Sequence, residues 1–230
     1  IGIIIMEVRR NMRPKDNFLK KVRLLCNQNS IILIFDECTS GFRENLGGMH
    51  LKYKVNPDIA MFGKAIGNGY AINALIGRKK FMKNFDNTFV SSTFWTERAG
   101  SAAALATIKY MQENKTFKFL KSQGKKIKLE WKKLAQETNN EIIISGLDTM
   151  PSFLFKENNN LKKTFFTQEM LKRKYIASNI IYLSICHNNK VLQKYFSHLK
   201  IIFNKISNLN QKSLKKTLNG RECFSPFSRL

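Results

Sequence analysis

The chain has 230 residues, with 40 Lys+Arg against 16 Asp+Glu and a net charge of +24, long enough for one large domain or two small ones. No apolar stretch approaches transmembrane length, and the opening residues have neither the charged leader nor the cleavage site of a signal peptide. Cys26, Cys38, Cys186 and Cys223 form no CxxC pair and His50, His187 and His198 no HExxH helix, so no metal site is expected, and the thiols fit a reducing, cytoplasmic setting.

Residues 1–8 and 31–36 are short, continuously apolar runs, the pattern of strands in a parallel sheet. Between them residues 17–27 carry Phe18, Leu19, Val22, Leu24 and Leu25, which predicts a crossover helix. Residues 58–62 predict a third strand, and residues 71–77 a fourth after a glycine turn. An alanine-rich helix over 99–111 leads into a long basic helix around 115–137. Beyond Thr138 the pattern predicts strands at 142–145 and 151–155, a polar loop at 156–160 and a helix over 167–174. A strand over 180–186 and an amphipathic helix over 190–209 follow. The alternation argues an α/β fold with a mostly parallel sheet, then a smaller α+β domain. Residues 1–112 and 113–230 are the expected domains.

The charge taken alone suggests a polyanion partner. The basic residues are mostly Lys scattered among Asn and Ile, however, whereas base reading favours Arg, Asn and Gln gathered on one element. The densest cluster, Lys115 to Lys133, alternates with Phe117, Leu120, Ile127, Leu129 and Trp131, as a solvated amphipathic helix does. No specific nucleic-acid partner is expected, only weak binding at low salt.

The stretch that carries chemistry runs from Ile31 to Lys64. A buried strand ends in Asp36-Glu37, and Lys64 follows in FGKAIGNG at 62–69. An amine and a carboxylate of this kind are what pyridoxal phosphate (PLP) requires, the amine to hold it as a Schiff base and the acid to keep its ring nitrogen protonated. A carboxylate at the carboxyl end of a parallel strand stands where α/β sheets place ligands. GKAIGNG alone is neither a P-loop nor a dinucleotide fingerprint.

DECTSGFR at 36–43, PDIAMFGKAIGNGYAINALIG at 57–77 and SSTFWTERAGSAAALATI at 91–108 resemble the class III PLP-dependent aminotransferases, in the branch of glutamate-1-semialdehyde 2,1-aminomutase and its transaminase relatives. TFFTQEMLKRKYIAS at 164–178, IYLSICH at 181–187 and ECFSPFSRL at the end resemble that family's C-terminal part. The resemblance implies the later part of an aspartate aminotransferase-like, fold type I enzyme, beginning abruptly at Ile1. The family's phosphate-binding turn and ring-stacking aromatic would precede it.

On that resemblance Lys64 is the catalytic Schiff-base lysine and Asp36 the partner of the pyridinium nitrogen. Cys38 takes a position usually held by an aliphatic residue against the cofactor ring, and Thr93 reaches the cofactor phosphate of a neighbouring subunit in a homodimer. The roles of Glu37, Glu97 and Arg98 stay open, and His187 is read as packing. MEVRR at 6–10 lacks the family's proline, and Lys174 replaces a usual glycine. The implied activity is amino-group transfer on an amino acid or amino-aldehyde, by transamination or by an intramolecular 2,1-shift. The alternatives are a catalytically incompetent fragment of such an enzyme, or a basic nucleic-acid-binding module whose binding survives physiological salt.

Overall fold

The computed structural model describes residues 1–94 and 96–224. Trp95 and residues 225–230, which take in most of ECFSPFSRL, lie outside the described residues. The fold is mixed α/β, and the chain divides into two compact units, Ile1–Phe119 and Leu120–Leu230.

In the first unit the apolar runs become β1 (Ile3–Glu7) and β2 (Ile32–Asp36), joined by the helix α1 (Phe18–Gln28). They pair in parallel with Glu7 opposite Asp36. A short helix, α2 (His50–Tyr53), precedes β3 (Ile59–Phe62), which continues the parallel pairing with Asp36 opposite Met61. β4 (Ala74–Gly77) is shorter than the expected 71–77 and closes the sheet antiparallel to β3, giving the order β1-β2-β3-β4. Beyond it come α3 (Lys79–Met82) and α4 (Arg98–Asn114).

Alternation along these strands separates two faces. Leu33, Phe35, Ala60 and Phe62 lie on the buried face, where Ala60 and Phe62 pack with Ile66 and with Ala104 of α4. On the other face Ile3 and Ile5 are 53% and 63% exposed. Asp36 belongs to this more open face.

The second unit is built on all but the first turn of α5 (Thr116–Glu137), a hairpin of β5 (Ile142–Leu147) and β6 (Met150–Phe155), α6 (Asn159–Lys172), α7 (Asn189–Asn208) and α8 (Gln211–Lys216). Its core gathers Trp131, Phe153, Phe155, Phe166, Phe203 and Leu199, with Phe153 edge-on to Trp131, Phe166 and Phe203. Such tilted aromatic contacts are the favoured geometry. α5 packs tightly on the hairpin turn because Gly124 has no side chain: a Cβ there would overlap the Asp148 carbonyl. On α5, Ile127 and Trp131 are fully buried while Leu129 is 70% exposed, so the apolar stripe is narrower than the sequence pattern implied.

Two expectations are corrected in this unit. α6 starts at Asn159, inside the stretch read as a polar loop, because Leu161, Phe165, Phe166 and Met170 supply a buried helical face from its first turn. Residues 180–186 form no regular strand. They follow β6 through Ile181 N–H to the Pro151 carbonyl and Leu183 N–H to the Thr149 carbonyl, with one isolated bridge between Ile180 and Ser152. Tyr182 and Ile185 stay nearly half exposed, and the segment turns at Ser184, whose N–H donates to the His187 ring.

Candidate active site

Asp36 and Glu37 are neighbours in sequence that strand alternation sends to opposite faces. The ladder continues one residue past β2, through Glu37 N–H to the Met61 carbonyl at 2.8 Å. Asp36 is half-buried, and its Oδ1 accepts the Cys38 N–H at 2.9 Å. The Cys38 thiol also hydrogen-bonds to the Asp36 carboxylate.

Glu37 is completely buried. Its carboxylate accepts Ser40 Oγ–H at 2.6 Å and the backbone N–H groups of Met49 and His50, each at 2.8 Å, and meets His50 Nδ1 at 2.8 Å. Burial pushes this carboxyl up, but the hydrogen bonds from His50, Ser40 and the two backbone amides outweigh it and hold the group below the usual carboxylate range. Glu37 therefore ties the start of α2 to the end of β2. The sequence left its role open, and the geometry gives it a structural one.

Lys64 follows β3 at the same carboxyl edge of the sheet, beside the strand that ends in Asp36. It opens a short 3₁₀ turn, Lys64–Ile66, with φ 49°, a left-handed conformation that is rare and costly for a residue with a side chain. Strain of this kind gathers at functional sites. Gly63 before it cannot carry a side chain without displacing Asn73, whose Oδ1 would lie 2.5 Å from the added Cβ. The Lys64 ammonium donates to Thr39 Oγ1 at 2.7 Å.

Thr39 is buried, and its own carbonyl accepts Arg43 Nε–H at 2.7 Å. Cys38, between Asp36 and Thr39, is half-buried. Burial pushes its thiol up, the Asp36 carboxylate does the same, and together they outweigh the Lys64 ammonium. The thiol therefore stays protonated at neutral pH and acts as a small apolar wall.

The other candidates lie apart from this group. Thr93 is exposed, and no hydrogen bond joins it to Asp36, Cys38 or Lys64 among the described residues. Glu97 precedes α4 without capping it through its side chain, and both it and Arg98 are exposed. His187 accepts from Ser184 in a surface turn. Sequence reading missed Thr39, Ser40 and His50, because single hydroxyls and a lone histidine carry no spacing signal until the loop brings them to Glu37 and Lys64. It also missed Asp58 as the anchor of β3. Burial pushes the Asp58 carboxyl up, but Leu33 N–H, Arg23 and Arg78 hold it below its usual value.

The group that the resemblance implies can be tested against this donor set. A pyridoxal-type cofactor needs a free amine, a carboxylate oxygen available to a protonated ring nitrogen, and an apolar wall for the ring. Lys64 Nζ, the half-buried Asp36 carboxylate and the Cys38 side chain meet those needs along two adjacent strand ends, so the residues present fit the group. Among the described residues no cluster of three or more His, Cys, Asp or Glu could hold a metal ion, and no helix is long and apolar enough to cross a membrane.

Comparison with known proteins gives relatives of the same kind. The chain is 37% identical over 161 residues to a 3-aminobutyryl-CoA aminotransferase of Cloacimonas acidaminovorans, covering 67% of this chain and 39% of that protein. It is 28% identical over 212 residues to a glutamate-1-semialdehyde 2,1-aminomutase of Legionella pneumophila, covering 84% of this chain and 49% of the relative. The chain thus spans about half the length of the curated relatives it matches, or less. Among solved structures, the PLP internal aldimine form of the FumI protein of Sphingopyxis sp. MTA144 superposes with a TM-score of 0.84 at 20% identity. That match covers 94% of this chain and 53% of the other. A β-phenylalanine aminotransferase of Variovorax paradoxus gives a TM-score of 0.78 at 20% identity, over 90% of this chain and 53% of that one. Both structures share the fold type I architecture. The model of the family Aminotransferase class-III matches residues 11–192, and the chain belongs to that family.

Proposed function

We propose that this chain provides the cofactor-anchoring part of a PLP-dependent amino-group transferase acting on an amino acid or amino-aldehyde. The observation that carries the reading is the placing of Lys64 and Asp36 at the carboxyl ends of adjacent strands, with the Asp36 carboxylate half-buried on the open face of the sheet. When bound, PLP supplies an aldehyde that takes up amino groups and a ring that draws electrons from the neighbouring carbon. Lys64 provides the amine that holds the aldehyde. Asp36 holds a proton on the ring nitrogen through its carboxylate. Cys38 walls one side of the ring and keeps water from it. Once released from the cofactor, Lys64 is the base that moves the proton from the substrate's α-carbon, the usual task of a positioned lysine. Thr93 is assigned to the phosphate of a second copy's cofactor, in a homodimer. The free cysteines suit a reducing cytoplasm.

The test is to mix the protein with PLP, reduce with borohydride and map the phosphopyridoxyl label by mass spectrometry. The label is expected on Lys64 far above the other lysines, and it disappears from that peptide in Lys64→Ala. Uniform labelling of surface lysines overturns the assignment. A label confined to Lys64 whose yield is not lowered when an amino donor is added before the borohydride instead favours the second reading, a catalytically incompetent piece, which the exposed Ile3 and Ile5 and the half-length match support.

A further inference from the structure

We infer that Thr39 is a positioning residue for Lys64: its hydroxyl holds the amine in place whenever that amine is not bonded to a cofactor. The inference rests on the reading of Lys64 given above and adds a residue to it. Three observations support it. The contact is direct, with Lys64 Nζ 2.7 Å from Thr39 Oγ1. The acceptor is fixed, because the loop around Thr39 is held at every step. The Cys38 N–H is bound by Asp36, the Thr39 carbonyl by Arg43 and the Ser40 hydroxyl by the buried Glu37. Finally, the donor needs restraint. Lys64 is an exposed residue on a left-handed backbone, and its long side chain would otherwise sample many rotamers.

A free amine has to be returned to the same spot at every turnover, once to receive a proton and once to recapture the cofactor. A hydroxyl serves this need better than a carboxylate would. It accepts a hydrogen bond from an ammonium and donates one to a neutral amine, so it holds the group in either protonation state. It adds no charge that would compete with Asp36 for the ring nitrogen. Thr39 thereby acts through Lys64, while Glu37 acts one step further back by fixing Ser40 and the turn that carries Thr39.

The experiment reads the reactivity of Lys64 in the cofactor-free full chain. Trace acetylation with acetic anhydride, followed by mass spectrometry, gives the rate at Lys64 relative to Lys109, whose side chain is 77% exposed. In Thr39→Val the relative rate at Lys64 is expected to rise about three- to tenfold, the release of one side-chain hydrogen bond, and Thr39→Ser is expected to restore it. Near-ultraviolet circular dichroism checks that both variants fold, and if Thr39→Val does not, Thr39→Ala is compared with Thr39→Ser by the same ratio. A relative rate that is unchanged or lower without the hydroxyl overturns the inference. Borohydride trapping of PLP on the wild-type chain separates the two claims. A label on Lys64 with no Thr39 effect leaves the Lys64 assignment standing and removes this one, whereas a label elsewhere removes both.

Discussion

Glu37 is a carboxylate with no access to water, and such a group is tolerable only because four contacts from Ser40, Met49 and His50 replace its hydration. In Glu37→Gln one oxygen becomes an NH₂ that faces donors, so buried N–H groups lose their acceptor. The expected cost is about 2–4 kcal/mol near neutral pH, read as a lower urea midpoint together with faster hydrogen exchange at the Met49 and His50 amides. The pH dependence follows from the direction of the shift. A carboxyl whose folded value is depressed contributes stability that is fully present above its ordinary value and is lost as pH falls through the lower folded value. The gap between wild type and Glu37→Gln should therefore narrow on acidification below the ordinary carboxylate range, and a gap independent of pH would contradict the assignment. At this scale the places of Asp36 and Lys64 at neighbouring strand ends were legible because their setting is local: an apolar run with an acid at its end, and a lysine among glycines. Glu37, Ser40, Thr39 and His50 were not, since their partners are assembled by a loop whose path the sequence does not state.

Elements whose signals are periodic and capped were read well. In α7, Leu192, Tyr195, Leu199, Ile202 and Ile206 recur at helical spacing along the buried face, and Asn188 Oδ1 caps it by accepting Val191 N–H at 3.0 Å. Residues 180–186 were misread because a short apolar run does not distinguish a strand from an irregular segment lying along one. The end of α6 shows how a departure noted in sequence acquires a cause. Tyr175 N–H bonds to the Met170 carbonyl at 3.0 Å and Lys174 N–H to the Leu171 carbonyl at 2.8 Å, the paired bonds of a Schellman cap. That cap needs a left-handed residue, and Lys174 occupies it at φ 65° where glycine carries no Cβ penalty. Lys174→Gly should stabilise the second unit by up to about 1 kcal/mol, whereas Lys174→Ala should give no gain. Thermal unfolding followed by the fluorescence of buried Trp131, in a Trp95→Phe background, reads the difference, and a lower midpoint for the glycine variant would exclude a strained cap.

For the molecule as a whole, the segment that carries Thr93 has the character of a contact surface. Phe89 and Phe94 are 94% and 54% exposed and Val90 40%, in the same segment as Thr93. Exposed apolar groups crowded into one segment mark a surface meant to be covered. In a two-fold assembly that segment would meet its counterpart, or a neighbouring site, twice over. Each chain carries a net charge of +24, so association has to be examined at roughly 0.15 M salt, where the Debye length is about 8 Å and self-repulsion is screened. If Thr93 serves the partner's cofactor, defects at Thr93 and Lys64 should complement each other. A Thr93→Ala chain keeps its own Lys64 but loses the phosphate contact it gives away, and a Lys64→Ala chain keeps Thr93 but anchors nothing. Mixing the two by unfolding and refolding should restore PLP retention at Lys64 of the Thr93→Ala chain, to about half of the wild-type amount. Equilibrium dialysis with borohydride trapping measures this directly. Were Thr93 to act within its own chain, the mixture would retain no more than the Thr93→Ala protein alone, since no copy would then carry both residues.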